Sequence, residues 1–228
     1  MIYSAIIPAG GSSTRYGNGN KLFQILNGKP VFIHAVEQFR FFCQDNFIAI
    51  PVHKDHKTEL QELLEQYIPG HQITVVTGGA DRTRSVLNAL EALPEESVLT
   101  AVHDAARPLI RRATIQAVYD AAEQHSAAAA ARQVTSTLKL AGNDGLLTAG
   151  DINRELMWEI ETPQTFRTEL LRHALRMTVA ENISFTDDSA AVERFCKIRT
   201  FPVQPEEVNL KITRLSDLSL AEALTKLS

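Results

Sequence analysis

The chain has 228 residues, 44% hydrophobic and 22% charged, with a formal net charge of −4 at pH 7. That length can bury a full core in one domain spanning residues 1–228, and the acidic balance leaves no global basic field to recruit nucleic acid. The only cysteines, Cys43 and Cys196, are too far apart in sequence to suggest a disulfide framework or a cysteine zinc site. No apolar run is long enough to span a bilayer, and a strand starting at residue 2 leaves no room for a leader, so a cytoplasmic protein with no membrane partner is expected.

Residues 2–7 form a short apolar run that breaks at Pro8, Ala9, Gly10 and Gly11, the pattern of a buried parallel strand ending in a loop. In open α/β sheets that edge is where ligands bind. Glycines allow close backbone approach and successive N–H groups can nest an anion; Ser12, Ser13 and Thr14 add hydroxyls, and Arg15 and Lys21 add two cations. The loop therefore suits a polyphosphate. It is neither a dinucleotide fingerprint, because position 12 is serine, nor a P-loop, because Gly28-Lys29 is followed by Pro30.

Further along, helical spacing predicts helices over about 31–42 and 54–67, with strands at 47–52 and 73–77. Strands alternating with amphipathic helices imply right-handed βαβ units and a mostly parallel sheet. His53 and His56 flank Asp55 at a helix start, where capping is the simpler reading than a metal site. A second glycine turn, Gly78-Gly79, opens a helix to about residue 93, with Asp81 or Thr83 as its cap. A strand at 98–103 delivers His103-Asp104-Ala105-Ala106-Arg107-Pro108 to the ligand edge. There Asp104 suits a divalent cation, ribose hydroxyls or an ion pair with Arg107.

A helix over about 112–125 precedes five alanines, 127–131, read as a strand of small side chains despite their helix propensity. Extended stretches around Gly142, Asn143, Asp144 and Gly145 predict a hairpin that cannot bury itself alone. Trp158 is read as a core residue. Asp187 and Asp188 begin a helix whose dipole they satisfy. A strand over 198–203 and a C-terminal helix after Thr213 complete the chain.

Several motifs in order resemble the cytidylyltransferases that act on polyol phosphates, in the methylerythritol-phosphate and ribitol-phosphate branches. These are Pro8-Ala9-Gly10-Gly11 with Arg15 and Lys21; Gly78-Gly79 with Arg82 and Ser85; residues 103–108; Arg154 through Thr162-Pro163-Gln164; Thr186-Asp187-Asp188-Ser189; and Asn209-Leu210-Lys211-Ile212-Thr213. Ser136 departs from the aspartate usual before the threonine, whereas Lys139 resembles the methylerythritol branch.

The resemblance implies a Rossmann-like three-layer α/β sandwich with a protruding β-hairpin arm, about 134–153, that joins two subunits. It implies transfer of a cytidylyl group from CTP to 2-C-methyl-D-erythritol 4-phosphate with release of pyrophosphate, in the non-mevalonate route to isoprenoid precursors. The alternatives are a ribitol-5-phosphate acceptor or a non-catalytic nucleotide-binding protein. Arg15 and Lys21 would stabilise transition-state charge, and Arg154 and Lys211 would hold the acceptor phosphate. Thr137 and Arg107 would orient the polyol. Pro8, Ala9, Gly10, Gly11, Ser12, Gly79, Arg82, Ser85, Asp104 and Thr162 would line the substrate site. Mg2+, held mostly by the CTP phosphates with Asp104 as its protein ligand, is the implied cofactor. A phosphate monoester has a second pKa near ~6 and is already largely dianionic at neutral pH, so no general base is required.

Overall fold

In the computed structural model, which describes residues 1–10, 20–148 and 152–226, the apolar runs and amphipathic stretches fold in strict chain order. Strand β1 (Tyr3–Ile6) is followed by a two-strand ribbon, β2 (Ile25–Leu26) and β3 (Lys29–Pro30), then α1 (Val31–Phe39), β4 (Ile48–Val52), α2 (Lys57–Tyr67) and β5 (Thr74–Thr77). Next come α3 (Arg82–Glu91), β6 (Leu99–Val102), α4 (Arg112–His125) and β7 (Ala127–Gln133). The last third holds β8 (Trp158–Arg167), α5 (Thr168–Ala180), α6 (Asp188–Cys196), β9 (Phe201–Val203) and α7 (Leu215–Thr225).

Seven strands form one sheet in the order β5-β4-β1-β6-β8-β7-β9. β1 pairs in parallel with β4 and β6, β4 with β5, and β7 with β9, while β8 runs antiparallel to both β6 and β7. Side-chain alternation along the strands feeds two cores. Ala5, Ile7, Ile48 and Ile50 join Phe32, Leu60 and Val118 on one face, whereas Ile6, Ala49 and Val102 join Val86, Leu171 and Val192 on the other. Helices therefore cover both faces of a mostly parallel sheet, as the alternation predicted.

The alanine run is a strand because all five alanines, 127–131, are fully buried under α4 and between two neighbouring strands. Small side chains let the helix approach closely, and tertiary packing overrides the helix propensity of the run. α4 stops at Ser126, whose φ of 69° is left-handed and turns the chain back into the sheet.

Three features differ from expectation. The segment around Trp158 is the longest strand, and Trp158 is 39% exposed at its outer end rather than in the core. β8 turns antiparallel because it returns from the arm, and only its inner half reaches the core. Among the described residues, the arm hairpin has one antiparallel bridge, Ala141 to Leu147, with Thr148 N donating to Leu140 O at 2.8 Å. The sequence reading also contained no helix over 168–180, the position of α5.

The candidate active site

Because β1, β4, β5 and β6 are parallel, their carboxyl ends open on one edge. β8, running the other way, brings its outer half to that same edge. The register pairs Val102 with Gln164, so Ile160, Glu161 and Thr162 extend past β6 beside Asp104. A cleft of about 830 Å3 lies there. Pro8 and Gly10 line it just after β1, Gly79 from the β5–α3 turn, Arg82 and Ser85 from the start of α3, Asp104 and Arg107 from the β6 loop, and Thr162 from β8. Lys21 and Lys211 line it from segments distant in sequence.

Not every candidate residue is in the cleft. Ala9 packs into the core at 2% exposure. Thr137 and Arg154 are exposed on the arm, where Arg154 Nη1 donates to Thr135 O at 2.7 Å, and neither lines the cleft within one chain. The arm leaves the sheet between β7 and β8 and carries both residues outward. Gly11, Ser12 and Arg15 lie outside the described residues.

The Asp104 loop is held by a chain of hydrogen bonds. His103 is fully buried, and burial lowers it to about 4, so it is neutral at pH 7. Its Nε2 faces Arg107 O at 3.1 Å, and a carbonyl can only accept, so the proton sits on Nε2. Nδ1 then accepts from the Thr162 hydroxyl at 3.1 Å, whose oxygen accepts from Asp104 N–H at 3.1 Å. The Thr162-Pro163 peptide at this point is cis.

Lys211 Nζ meets Asp104 Oδ2 at 2.7 Å, while Arg107 Nε stands 3.8 Å from the same oxygen. Burial alone would raise Asp104, but Lys211 above all, then Arg82 and Arg107, holds it below the ordinary carboxylate range. The partner is therefore mainly Lys211, not the Arg107 that sequence proximity suggested. Arg107 instead donates from Nη1 to Asn209 O at 2.6 Å, and Ile212 N donates to Ala106 O at 2.8 Å. Lys21 Nζ donates to Ile212 O at 2.9 Å. Asn209 Nδ2 reaches Glu161 Oε2 at 2.9 Å and Thr162 O at 2.7 Å. Asp217 accepts from Thr213 and Arg214 N–H groups and so caps α7. The segment 209–213 is thereby fixed across the mouth of the cleft.

On the other wall, Asp81 caps α3 by accepting from Arg84 N–H at 2.7 Å. Ser85 Oγ donates to Asp81 O at 2.7 Å and accepts from Gly79 N–H at 3.0 Å. A Cβ on Gly79 would collide with the Arg84 side chain and come within 2.9 Å of the Arg84 carbonyl carbon. Gly79→Ala should therefore cost about 1–3 kcal/mol, seen as a lower melting temperature. A Cβ on Gly10 meets nothing nearer than 3.8 Å, so Gly10→Ala should leave the melting temperature unchanged and weaken only nucleotide binding. Equal losses of stability in the two variants would refute this assignment.

Sequence reasoning missed Glu161, Gln164 and Asp187 as cleft residues. The last two stand inside the Thr-Pro-Gln and Thr-Asp-Asp-Ser motifs, so the signal was present without its geometry. No group of three or more His, Cys, Asp or Glu is placed to hold a metal among the described residues. Asp104, with one oxygen on Lys211, fits a cation carried chiefly by a nucleotide's phosphates. Among the described residues no helix is long and apolar enough to cross a membrane.

Comparison with known proteins shows the family. The family model described as IspD, 2-C-methyl-D-erythritol 4-phosphate cytidylyltransferase, matches residues 3–226. The cytidylyltransferase of that name from Bacillus velezensis is 37% identical over 229 residues, covering 99% of this chain and 97% of that one. The one from Symbiobacterium thermophilum is 37% identical over 224 residues, covering 97% and 92%. Among solved structures, the 4-diphosphocytidyl-2C-methyl-D-erythritol synthase of Anaerococcus prevotii superposes with a TM-score of 0.84 at 26% identity, covering 99% and 96%. The Thermus thermophilus cytidylyltransferase superposes at 0.80 and 28%, covering 99% and 100%. With a matching family model over almost its whole length and relatives well above 30% identity, the chain belongs to the 2-C-methyl-D-erythritol 4-phosphate cytidylyltransferase family.

Proposed function

We propose that the cleft transfers the cytidylyl group of CTP to 2-C-methyl-D-erythritol 4-phosphate, releasing pyrophosphate, in isoprenoid precursor synthesis. The chain is a nucleotidyltransferase, and neither a ribitol-phosphate acceptor nor a binding-only role is favoured by the family match. The observation that carries the reading is the convergence of Lys21, Arg107 and Lys211 on the Asp104 side of a cleft whose other wall is the Gly79–Ser85 turn.

An oxygen of the acceptor phosphate attacks the α-phosphorus of CTP, and the bond from that phosphorus to the pyrophosphate oxygen breaks. The nucleophile is already anionic, so the protein's task is placement and charge stabilisation. The turn carrying Gly79, Arg82 and Ser85 takes the base end. Pro8, Gly10 and the loop with Gly11, Ser12 and Arg15 take the phosphates. Lys21 stabilises charge at the transition state and on the leaving pyrophosphate. Arg107 and Lys211 orient the acceptor, and Asp104 fixes Lys211 and stands near the ribose. A divalent cation, Mg2+ in this proposal, would be held mostly by the nucleotide's phosphates with Asp104 as its protein ligand, and would draw charge off the triphosphate oxygens.

Residues 1–228 act as one domain in this reading, supported by a single sheet that organises both cores, and the two unpaired cysteines suit a reducing cytoplasm. The arm would join two copies, each offering Thr137 and Arg154 to the other's cleft. Its apolar side chains support that: Leu140, Leu146 and Leu147 are 63%, 69% and 72% exposed, more than a monomer's surface needs. Sedimentation equilibrium should return twice the chain mass, and Leu147→Asp should shift it to the single-chain mass with loss of turnover. A single-chain mass for the parent protein would refute the dimer.

Pyrophosphate release with CTP and Mg2+, offering methylerythritol 4-phosphate and ribitol 5-phosphate in parallel, tests the reaction. Turnover with the first alone is expected; turnover with the second alone would reassign the acceptor.

A further inference from the structure

Two parts of the sequence motifs have no role in the chemistry above: Gln164 of Thr162-Pro163-Gln164, and Thr186-Asp187-Asp188-Ser189. In the fold they lock together. Gln164 is 2% exposed, and its Oε1 accepts from Asp188 N–H, Ser189 N–H and the Ser189 hydroxyl, each at 3.2 Å. Three donors on one atom fix the amide orientation, so Nε2 points the other way, towards Asp187 Oδ2 at 3.3 Å and Glu161 O at 3.4 Å. Asp187 is occupied as the cap of α6, accepting from Ala190 N–H at 3.1 Å. Capping therefore needs only one of the two acids.

The other, Asp188, is 1% exposed and turns inward. Its Oδ2 stands 2.8 Å from Arg82 Nη1, whose side chain is 32% exposed at the cleft. Burial raises Asp188 above the ordinary carboxylate range, and Arg82 opposes that rise. Burial would likewise lower Arg82, but Asp188, then Asp104, raises it overall. A carboxylate this deep costs stability unless it is paired, and replacing such a pair by apolar side chains is often neutral or stabilising. Stability alone gives no reason to keep it.

We infer that Asp188, seated by Gln164, is a positioning residue that fixes the Arg82 guanidinium against the nucleotide. Three motifs far apart in sequence thus have a single output, the direction of one arginine. Because the Asp188 charge is matched to Arg82 within the protein, Arg82 contributes directed N–H donors more than net field. That suits a neutral acceptor such as a base carbonyl, and leaves the phosphates to Lys21 and the loop before it. The inference rests on the assignment of Arg82 to the nucleotide end of the cleft.

The test is steady-state kinetics, with both substrates varied, on Asp188→Asn, Arg82→Gln and the double variant. Asp188→Asn should raise the KM for CTP by about tenfold, with the KM for methylerythritol 4-phosphate within about twofold of the parent value. The double variant should match Arg82→Gln alone, because Asp188 has nothing left to position. If Asp188→Asn leaves the CTP KM unchanged, moves both KM values equally, or adds its full factor to Arg82→Gln, the inference is wrong. If Arg82→Gln itself leaves the CTP KM unchanged, the underlying site assignment fails and the inference falls with it. Should Asp188→Asn not fold, Gln164→Met decides: a raised CTP KM at constant acceptor KM supports the inference, and a parental CTP KM overturns it.

Discussion

Replacing Lys21 by alanine should lower kcat by about 10²–10³, the usual result of deleting one preorganised donor aimed at developing charge, with the fold intact. Lys21 lies in the turn after the glycine loop, between Asn20 and the buried Leu22, so its backbone position is set by packing that does not involve the ammonium group. The Nζ reaches across the cleft mouth to Ile212 O, a neutral acceptor next to Lys211. Losing that hydrogen bond costs only about 0.5–1.5 kcal/mol, which a small melting shift would register. The catalytic loss has another origin. In the proposed reaction negative charge moves onto the departing pyrophosphate as the α-phosphorus–oxygen bond breaks, and an ammonium already in place would stabilise it without solvent reorganisation. An effect confined to the transition state lowers kcat and kcat/KM together and leaves the CTP KM nearly constant. Lys21→Arg should recover part of the rate, because charge is restored with different geometry. A near-parental kcat in Lys21→Ala would remove Lys21 from the mechanism, and a large rise in CTP KM at constant kcat would make it a binding residue instead.

The parts of this molecule legible from sequence are those governed by local rules. The apolar run of residues 2–7, the helical spacing after Pro30 and the glycine turn before α3 each carry their structural meaning within a few residues. The five alanines show a local preference losing to context, with Ser126 marking the end of α4. What was not legible depends on long-range pairing. The antiparallel course of β8 follows from the arm's return path, which no periodicity encodes. Trp158 is exposed for the same reason, since it lies on the outer part of that strand. The site divides the same way. Asp104, Arg107 and Lys211 were recognisable as motif residues, but the ion pair that sequence offered for Asp104 as one alternative was with Arg107, whereas the dominant partner is Lys211, more than a hundred residues on. Asp187 and Asp188 looked equivalent as helix-start acids, and only burial separates the cap from the Arg82 partner.

Lys211→Ala should reduce kcat/KM for the acceptor by about 10²–10³, at the upper end of what loss of a charge-assisted phosphate contact produces, and should leave the CTP KM within a few-fold. The geometry gives both parts of that expectation. Without substrate, Lys211 rests on Asp104 at 2.7 Å, and the segment bearing it is fixed on both sides by Asn209 with Glu161 and Thr162 and by Ile212 with Ala106. The backbone will therefore hold its course when the side chain is cut back. The Lys211 side chain is 43% exposed, and its ammonium can serve a dianionic phosphate without leaving Asp104, because it has three donors. Its loss also strips Asp104 of the cation that does most to hold its carboxyl low. A carboxylate depressed in the folded state adds stability above its unfolded pKa, and that stability is lost as the pH falls through the folded value. In Lys211→Ala the loss should set in at higher pH, so the parent and variant melting temperatures should diverge above the range where Asp104 is protonated in both and converge at lower pH. Lys211→Arg should retain the Asp104 contact and the melting profile while recovering only part of the acceptor kcat/KM. An acceptor kcat/KM in Lys211→Ala within threefold of the parent value would take Lys211 out of the acceptor site and leave it a structural partner of Asp104 alone.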